Sequence, residues 1–287
     1  MRRKNWKNIV RNVLCTPRPM CYNRPEVIFM TLDRPHARQA FAEYTSHYNA
    51  ADPKVKLKID HTYRVAALCE RIANSLALPP QDVDLAWLCG LLHDVGRFEQ
   101  LRRYGTFIDA KSIDHALMSV TVLFEEGRLR DYIAGTDEDA LLRTAIRLHN
   151  AYRLPEEMDD RTRMFCQILR DADKIDILRV NVETPMEQIY NVSTEALRQS
   201  PVSPAVLDAF YEHHCVLRTL NHYPADNAVG HASFVFELCY PESLRAVAEQ
   251  GWLWKLLDFK TDNPETAKAF ATMKAEMQRW IGEHIKA

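Results

Sequence analysis

The sequence predicts an all-α protein. Apolar residues recur at steps of three and four along most of the chain, whereas no segment shows the alternating apolar and polar residues of a β-strand. Prolines and glycines fall between these periodic segments, where they end helices. The chain has 287 residues, of which 47% are hydrophobic and 26% are charged, so it can bury a sizeable core.

Proline placement divides the chain into three predicted regions. Residues 1–36 begin with a basic amphipathic helix and continue into a connector whose prolines break helical structure. We favour docking of this helix on its own domain over binding to a membrane surface. Residues 37–182 are the predicted helical core, and residues 183–287 are a helical extension predicted to pack on that core.

The helices of the predicted core follow one another with recognisable ends. The first spans about 56–78 and stops at two prolines, and the second runs through LAWLCGLLHD and stops near Gly96. Residues 97–112 are predicted to be a polar, aromatic-rich loop. The third helix covers HALMSVTVLFEE, the fourth lies at about 137–150, and the fifth carries MFCQILRDADKIDILRV.

Charge, glycine motifs and cysteines exclude several classes of function. The formal net charge of −2 indicates no affinity for nucleic acid polymers, and neither GxGxxG nor GxxxxGK[ST] is present. No apolar run reaches about 18 residues, so no transmembrane helix is predicted. The seven cysteines are odd in number and lack a CxxC spacing, which favours reduced thiols in a cytoplasmic protein. No feature indicates an oligomeric state.

Ionisable residues on the apolar faces of several helices are the main functional signal. His61, His93, His149 and Asp173 each continue an apolar stripe at three- or four-residue steps. A bare buried carboxylate is costly unless it is paired or bound to a metal. A shared metal site satisfies all of these groups together. The histidines of the C-terminal third are instead predicted to be surface or packing residues.

Asp173 is the better ligand candidate of the two aspartates in RDADKID. At about 100° per residue, Asp171 and Asp173 lie about 200° apart around a helix, so they cannot face the same way. Asp173 shares the apolar face, and Asp171 is predicted to point outward as a solvated or supporting group. Asp176 fits either a supporting role or an ordinary surface charge.

The motifs LLHDVG and ADKID, with a helical histidine upstream, resemble the HD superfamily of metal-dependent phosphohydrolases. The resemblance covers about residues 57–180 and implies an HD-domain helical core. The histidines in IDHALMSV and IRLHNAYRLP match members with a dinuclear site, whereas the absence of a GYP motif separates the chain from the HD-GYP branch. The implied metal ligands are His61, His93, Asp94, His115, His149 and Asp173.

The resemblance also implies two divalent transition-metal ions. Fe, Mn, Co, Ni or Zn is expected, because a set of neutral imidazoles with few carboxylates suits these ions better than Mg or Ca. His115 and His149 would bind the second ion, Asp94 would bridge the two ions, and the remaining ligands would bind the first. A hydroxide between the ions would attack the phosphorus of a small-molecule phosphoester, with nucleotides as the first class to test.

Basic residues near the ligands are predicted to offset the charge of the transition state. Arg97 follows the HDVG turn and Lys174 follows Asp173, so both join Asp94 as predicted catalytic residues. Arg102 and Arg103 are predicted on the loop over the mouth of the site. Two rival functions stay open. Some HD-fold members are mixed-valent di-iron oxygenases with an equivalent ligand set, and a regulatory module with a vestigial site would keep the same fold.

Overall fold

The computed structural model describes residues 32–285. The predicted N-terminal basic helix, together with Cys15 and Cys21, lies outside these residues. Within the described range the regular secondary structure is helical, without a β-strand, which confirms the predicted all-α fold. None of the described helices is both long enough and apolar enough to cross a membrane.

The helices fall into two groups along the chain. The first group is α1 (Arg34–Ser46), α2 (Pro53–Ser75), α3 (Pro80–Leu92), α4 (Val95–Tyr104), α5 (His115–Val120), α6 (Asp139–Leu148) and α7 (Asp160–Glu183). The second group is α8 (Met186–Tyr190), α9 (Thr194–Arg198), α10 (Pro204–Tyr211), α11 (Pro224–Ala232), α12 (Pro241–Gln250), α13 (Trp252–Leu257) and α14 (Pro264–His284). Helix α5 continues as a π-helical turn over Thr121–Glu125.

Helix α2 lies at the centre of the core, between α3 and α7. Its predicted stripe is buried, with Val65 and Ile72 fully shielded from solvent. Gly90 of α3 permits a close approach to α2, because a Cβ atom at this position would lie 2.6 Å from the Cα atom of Ala66. Carbon atoms normally pack at about 3.5–4.0 Å. A larger residue at Gly90 would therefore push the end of α3 away from α2.

The predicted loop at 97–112 begins with a helix, so this part of the prediction is wrong. Helix α4 extends to Tyr104 because Phe98 packs into the aromatic core and because the Glu99 carboxylate is buried. Glu99 accepts hydrogen bonds from Arg102 (2.6 Å) and Arg103 (2.8 Å). These charged residues gave the segment the polar composition of a loop, although they satisfy one buried carboxylate on the same helix.

The C-terminal extension covers the face of α7 that bears Asp171. Helices α11, α12 and α13 pack against α7, and α12 also contacts α2. The Asp171 Oδ2 atom accepts hydrogen bonds from the Cys239 amide (2.8 Å) and the Ser243 hydroxyl (2.7 Å) at the beginning of α12. Asp171 is therefore buried, and the prediction that it points outward into solvent is wrong. The face opposite the site is covered by a second layer of helices.

Candidate metal centre

The predicted ligands converge from different helices on one buried cluster. His61 lies within α2, His93 and Asp94 follow α3, and Asp173 lies within α7. His115 begins α5 and His149 follows the last residue of α6. The histidines and Asp94 are buried, whereas the Asp173 side chain retains 13% of its exposure. The structure thus brings together His61, His93, Asp94, His115, His149 and Asp173.

The first half of the cluster has the spacing of a coordination sphere. The Nε2 atom of His61 lies 3.3 Å from Nε2 of His93 and 3.2 Å from Oδ1 of Asp173. The Oδ2 atom of Asp94 lies 3.6 Å from Nε2 of His61 and 3.5 Å from Nε2 of His93. Four ligands placed tetrahedrally about 2.1 Å from one ion are about 3.4 Å apart, so these residues fit a transition metal.

The second half of the cluster faces the other oxygen of Asp94. The Nε2 atoms of His115 and His149 are 3.0 Å apart. The Oδ1 atom of Asp94 lies 3.9 Å from Nε2 of His115 and 3.8 Å from Nε2 of His149. This oxygen is buried and has no hydrogen-bond partner. A buried carboxylate oxygen without a partner is costly, and a second ion between these three residues would satisfy it.

Each imidazole in the cluster is held through its Nδ1 atom. Nδ1 of His93 donates to the carbonyl of Gly90 at 2.7 Å, and Nδ1 of His149 donates to the carbonyl of Ile146 at 2.7 Å. A carbonyl can only accept, so Nδ1 carries the proton in both rings. The Nε2 lone pairs are consequently available to an ion.

The other two imidazoles are held by carboxylates. Asp176 Oδ2 lies 2.6 Å from Nδ1 of His61, and Arg64 donates to both oxygens of Asp176. Asp109 Oδ2 lies 2.6 Å from Nδ1 of His115. A carboxylate on the far nitrogen orients a metal-binding imidazole and raises its basicity. The structure therefore favours a supporting role for Asp176 over an ordinary surface charge.

Burial and neighbouring charges set different protonation states in the cluster. Burial, together with the adjacent His115 and His93 rings, lowers the pKa of His149 to about 3. Burial also lowers the pKa of His115. The neutral ring is the form that binds metal. Burial opposes the charge of His61, but hydrogen bonds to Asp173 and Asp176 raise its pKa overall.

Two cations flank Asp94. The ammonium group of Lys58 donates to Oδ2 of Asp94 at 2.7 Å, and Nε of Arg97 lies 3.6 Å from Oδ1. Arg97 Nη1 also donates to Asp109 (2.9 Å) and to the carbonyl of Phe107 (2.8 Å). Both cations lie against the Phe107 ring, 5.8 and 5.7 Å from its centroid. Burial opposes the charge of Asp94, but Lys58, His93 and Arg97 hold its pKa well below the usual range.

The other predicted basic residues lie farther from the ligands. Lys174 is half-buried on α7 and acts electrostatically on Asp171 and Cys239, on the side of the C-terminal extension. Within residues 32–285, Lys174 forms no hydrogen bond or ion pair with a metal-ligand candidate. Arg102 and Arg103 lie on α4 and pair with Glu99 instead of lying on a loop.

Lys58 and Asp109 are site residues that the sequence analysis missed. Lys58 precedes His61 by three residues on α2, so helical spacing already placed it on the same face. Asp109 lies in a short 3-10 turn, and no periodic pattern marks it. Only the structure shows that Asp109 accepts a hydrogen bond from Arg97 and contacts Nδ1 of His115.

Comparison with known proteins identifies the segment that contains the cluster. Residues 59–178 match the protein family described as HD domain. This segment is similar to the HD domain family. It contains every metal-ligand candidate and the supporting Asp109 and Asp176, whereas Lys58 precedes it by one residue and the C-terminal extension lies almost wholly beyond it. A search of curated proteins and a search of solved structures each found no significant match to the chain.

The similarity of this segment to the HD domain family agrees with the local geometry. HD domains generally include metal-dependent phosphohydrolases, and the residues of this chain that could bind metal include the six that the resemblance implied, together with Asp109 and Asp114 beside His115. The cluster therefore represents a possible metal site of the hydrolase type.

Proposed function

We propose that this HD domain is a metal-dependent phosphohydrolase with a dinuclear site. The observation that supports this function best is the position of Asp94 between two groups of imidazoles. Its Oδ2 atom faces His61 and His93, and its Oδ1 atom faces His115 and His149. In this arrangement Asp94 could contribute one oxygen to each of two ions, with His61 and His93 on one side and His115 and His149 on the other.

When bound, the two ions would supply an activated water and stabilise negative charge on phosphoryl oxygens. Lys58 and Arg97 would hold the remaining phosphate oxygens, because both cations stand beside Asp94. Asp109 and the Phe107 carbonyl restrain Arg97, so little conformational entropy is lost when it meets an anion. Lys174 is the third cation of this proposal, and its position supports the role less strongly than that of Lys58.

The charge of the site favours a small anionic substrate. Two divalent ions together with Lys58 and Arg97 outweigh the carboxylates of Asp94, Asp173 and Asp109. A phosphoester dianion would offset most of this excess positive charge, and nucleotides are the first class to test. The five cysteines of the described residues are free thiols, which supports a reducing, cytoplasmic setting for this activity.

A di-iron oxygenase is the second candidate, and one observation favours it. Asp94, His115 and His149 form a group of two histidines and one carboxylate. This group with open coordination positions is typical of non-heme iron oxygenases. A regulatory module that binds metal without catalysing a reaction is the third candidate function.

Phosphate release under argon tests the proposal. The metal-loaded full chain should release phosphate from at least one member of a phosphoester panel without oxygen. Lys58→Met should reduce kcat/KM about 10- to 100-fold, the usual loss for a hydrogen bond to a charged group. Lys56→Met is the matched control, because Lys56 lies on the same helix, is 70% exposed and, among the described residues, pairs only with Asp60. It should behave as wild type.

The rival functions give different results in the same experiment. Oxygen consumption with two bound irons and no phosphate release under argon would indicate the oxygenase. Metal uptake without turnover of either kind would indicate the regulatory module. Either result would overturn the phosphohydrolase proposal.

A further inference from the structure

We propose that Arg170 is a positioning residue that holds His149 in place for the second metal ion. The inference rests on the two-ion site proposed above, but it does not depend on which reaction that site performs. Arg170 does not touch the metal-binding atoms. It acts on the main chain that carries His149.

Arg170 is a buried arginine whose hydrogen bonds all go to main-chain carbonyls. Its Nη1 atom donates to the carbonyls of Leu148 (3.2 Å), His149 (3.5 Å) and Ala151, and its Nη2 atom donates to the carbonyl of Tyr152 (3.3 Å). The residue retains only 7% of its exposure. Within residues 32–285 it forms no ion pair with a carboxylate.

The end of helix α6 compensates the charge of Arg170. The last carbonyls of an α-helix lack partners within the helix and carry a partial negative charge. A buried guanidinium is stable only where such groups replace its lost hydration. Arg170 and the terminus of α6 therefore stabilise each other, and the chain around His149 is fixed at the same time.

The position of the His149 ring depends directly on this main chain. The ring is tied through Nδ1 to the carbonyl of Ile146, one turn earlier in α6. A shift of the helix end would therefore carry the Nε2 atom away from His115 and from Asp94 Oδ1. Such sites need their ligands within about 0.5 Å of the productive position.

Arg170 also links the two halves of the cluster. It lies three residues before Asp173 on α7, so the two residues are neighbours along the helix. Helix α7 thus bears a ligand of the first ion and the anchor of a ligand of the second. Loss of Arg170 should weaken the binding of the second ion. The first ion should remain bound through His61, His93, Asp94 and Asp173.

Cobalt titration of the metal-free full chain tests this inference. The visible absorption of Co²⁺ reports ligation, and the wild type should bind two equivalents in resolvable steps. Arg170→Met should leave the first step unchanged and weaken the second about 10- to 100-fold, the usual effect of losing an outer support of a metal ligand. His149→Ala is the reference for loss of the second step.

Arg163→Met is the matched control. Arg163 lies two turns earlier on α7 and also donates to two carbonyls of the same connection, those of Pro155 and Glu156, both at 2.8 Å. These carbonyls lie beyond the end of α6 and are not those of His149 or of its immediate neighbours. Arg163→Met should therefore retain both cobalt steps.

The inference fails if folded Arg170→Met binds two cobalt ions with wild-type affinity. If that variant does not fold, Arg170→Lys decides the question, because it keeps the charge but loses the planar set of donors. It should fold and weaken the second step at least about tenfold. Unchanged affinity in Arg170→Lys would overturn the inference. A wild-type chain that binds one equivalent would overturn both this inference and the two-ion site, whereas missing phosphatase activity would overturn only the proposed reaction.

Discussion

Asp176 should control the affinity of the first metal ion although it does not reach the ion. Its Oδ2 atom lies 2.6 Å from Nδ1 of His61, and Arg64 holds both of its oxygens. Asp176→Ala removes the support of the His61 ring and leaves the Arg64 guanidinium without its partner. We expect weaker binding of the first ion and a less stable metal-free protein.

The contacts of Asp176 indicate the size of both effects. Loss of a carboxylate behind a metal-binding imidazole costs about 10- to 100-fold in affinity, or about 1.4–2.7 kcal/mol. Removing one partner of a buried ion pair costs about 3–5 kcal/mol of stability. Arg64 retains 24% of its side-chain exposure and can regain water, so we expect a loss near 3 kcal/mol, at the lower end of that range.

Metal titration and denaturant unfolding measure the two effects separately. Asp60→Ala is the control, because Asp60 precedes His61 on the same helix, is 45% exposed and pairs with Lys56. It should change neither quantity appreciably. If Asp176→Ala lost stability but bound the first ion with wild-type affinity, Asp176 would only be a structural residue, and the reasoning about the His61 ring would be refuted.

The remaining predictions concern the ligands and one buried carboxylate. Asp173→Ala should lose one metal ion and all activity, whereas Asp171→Ala should keep both ions; equal metal loss by elemental analysis would contradict the assigned helix faces. His115→Ala or His149→Ala should reduce the metal count from two toward one, and His61→Ala should disturb the other ion; full occupancy after the first two changes would indicate a mononuclear site. Burial raises the pKa of Asp171 from 3.8 in the unfolded chain to about 6 in the folded protein. The free energy of unfolding should therefore fall as the pH rises from about 4 to about 6, because the buried carboxyl group then loses its proton. Asp171→Asn should therefore gain roughly 2 kcal/mol relative to wild type between pH 4 and pH 7 in urea unfolding of the metal-free protein, and a difference that does not vary with pH would contradict this assignment.

Helical periodicity located four of the six ligand candidates because each of these obeys a local rule, whereas the resemblance to a known family supplied Asp94 and His115. His61, His149 and Asp173 sit at three- or four-residue steps from apolar neighbours, and these steps decide which side of a helix faces the core. The same spacing separated Asp173 from Asp171, and the structure keeps them on opposite sides of α7. The predicted all-α fold followed from the same repeat.

Partners across helices could not be read from that repeat. The sequence did not indicate that Asp109 would hold His115 or that Arg97 would hold Asp109, because neither residue stands in an apolar stripe. Helix α4 was missed because its charged residues satisfy one buried Glu99. In each case the segment has the polar composition of a solvent-exposed segment, although its charged residues bind one another inside the protein.

The sequence by itself determined that the chain is helical and that His61, His149 and Asp173 share the apolar faces of their helices, since both follow from the 3.6-residue period of one helix. Only the tertiary structure decided what lies opposite each of those side chains. In the structure Lys58 donates a hydrogen bond to Asp94, and Ser243 of α12 donates one to Asp171. Arg170 donates to the carbonyls at the end of α6. These contacts depend on which helices are neighbours, a property of the whole packed chain that no local pattern contains.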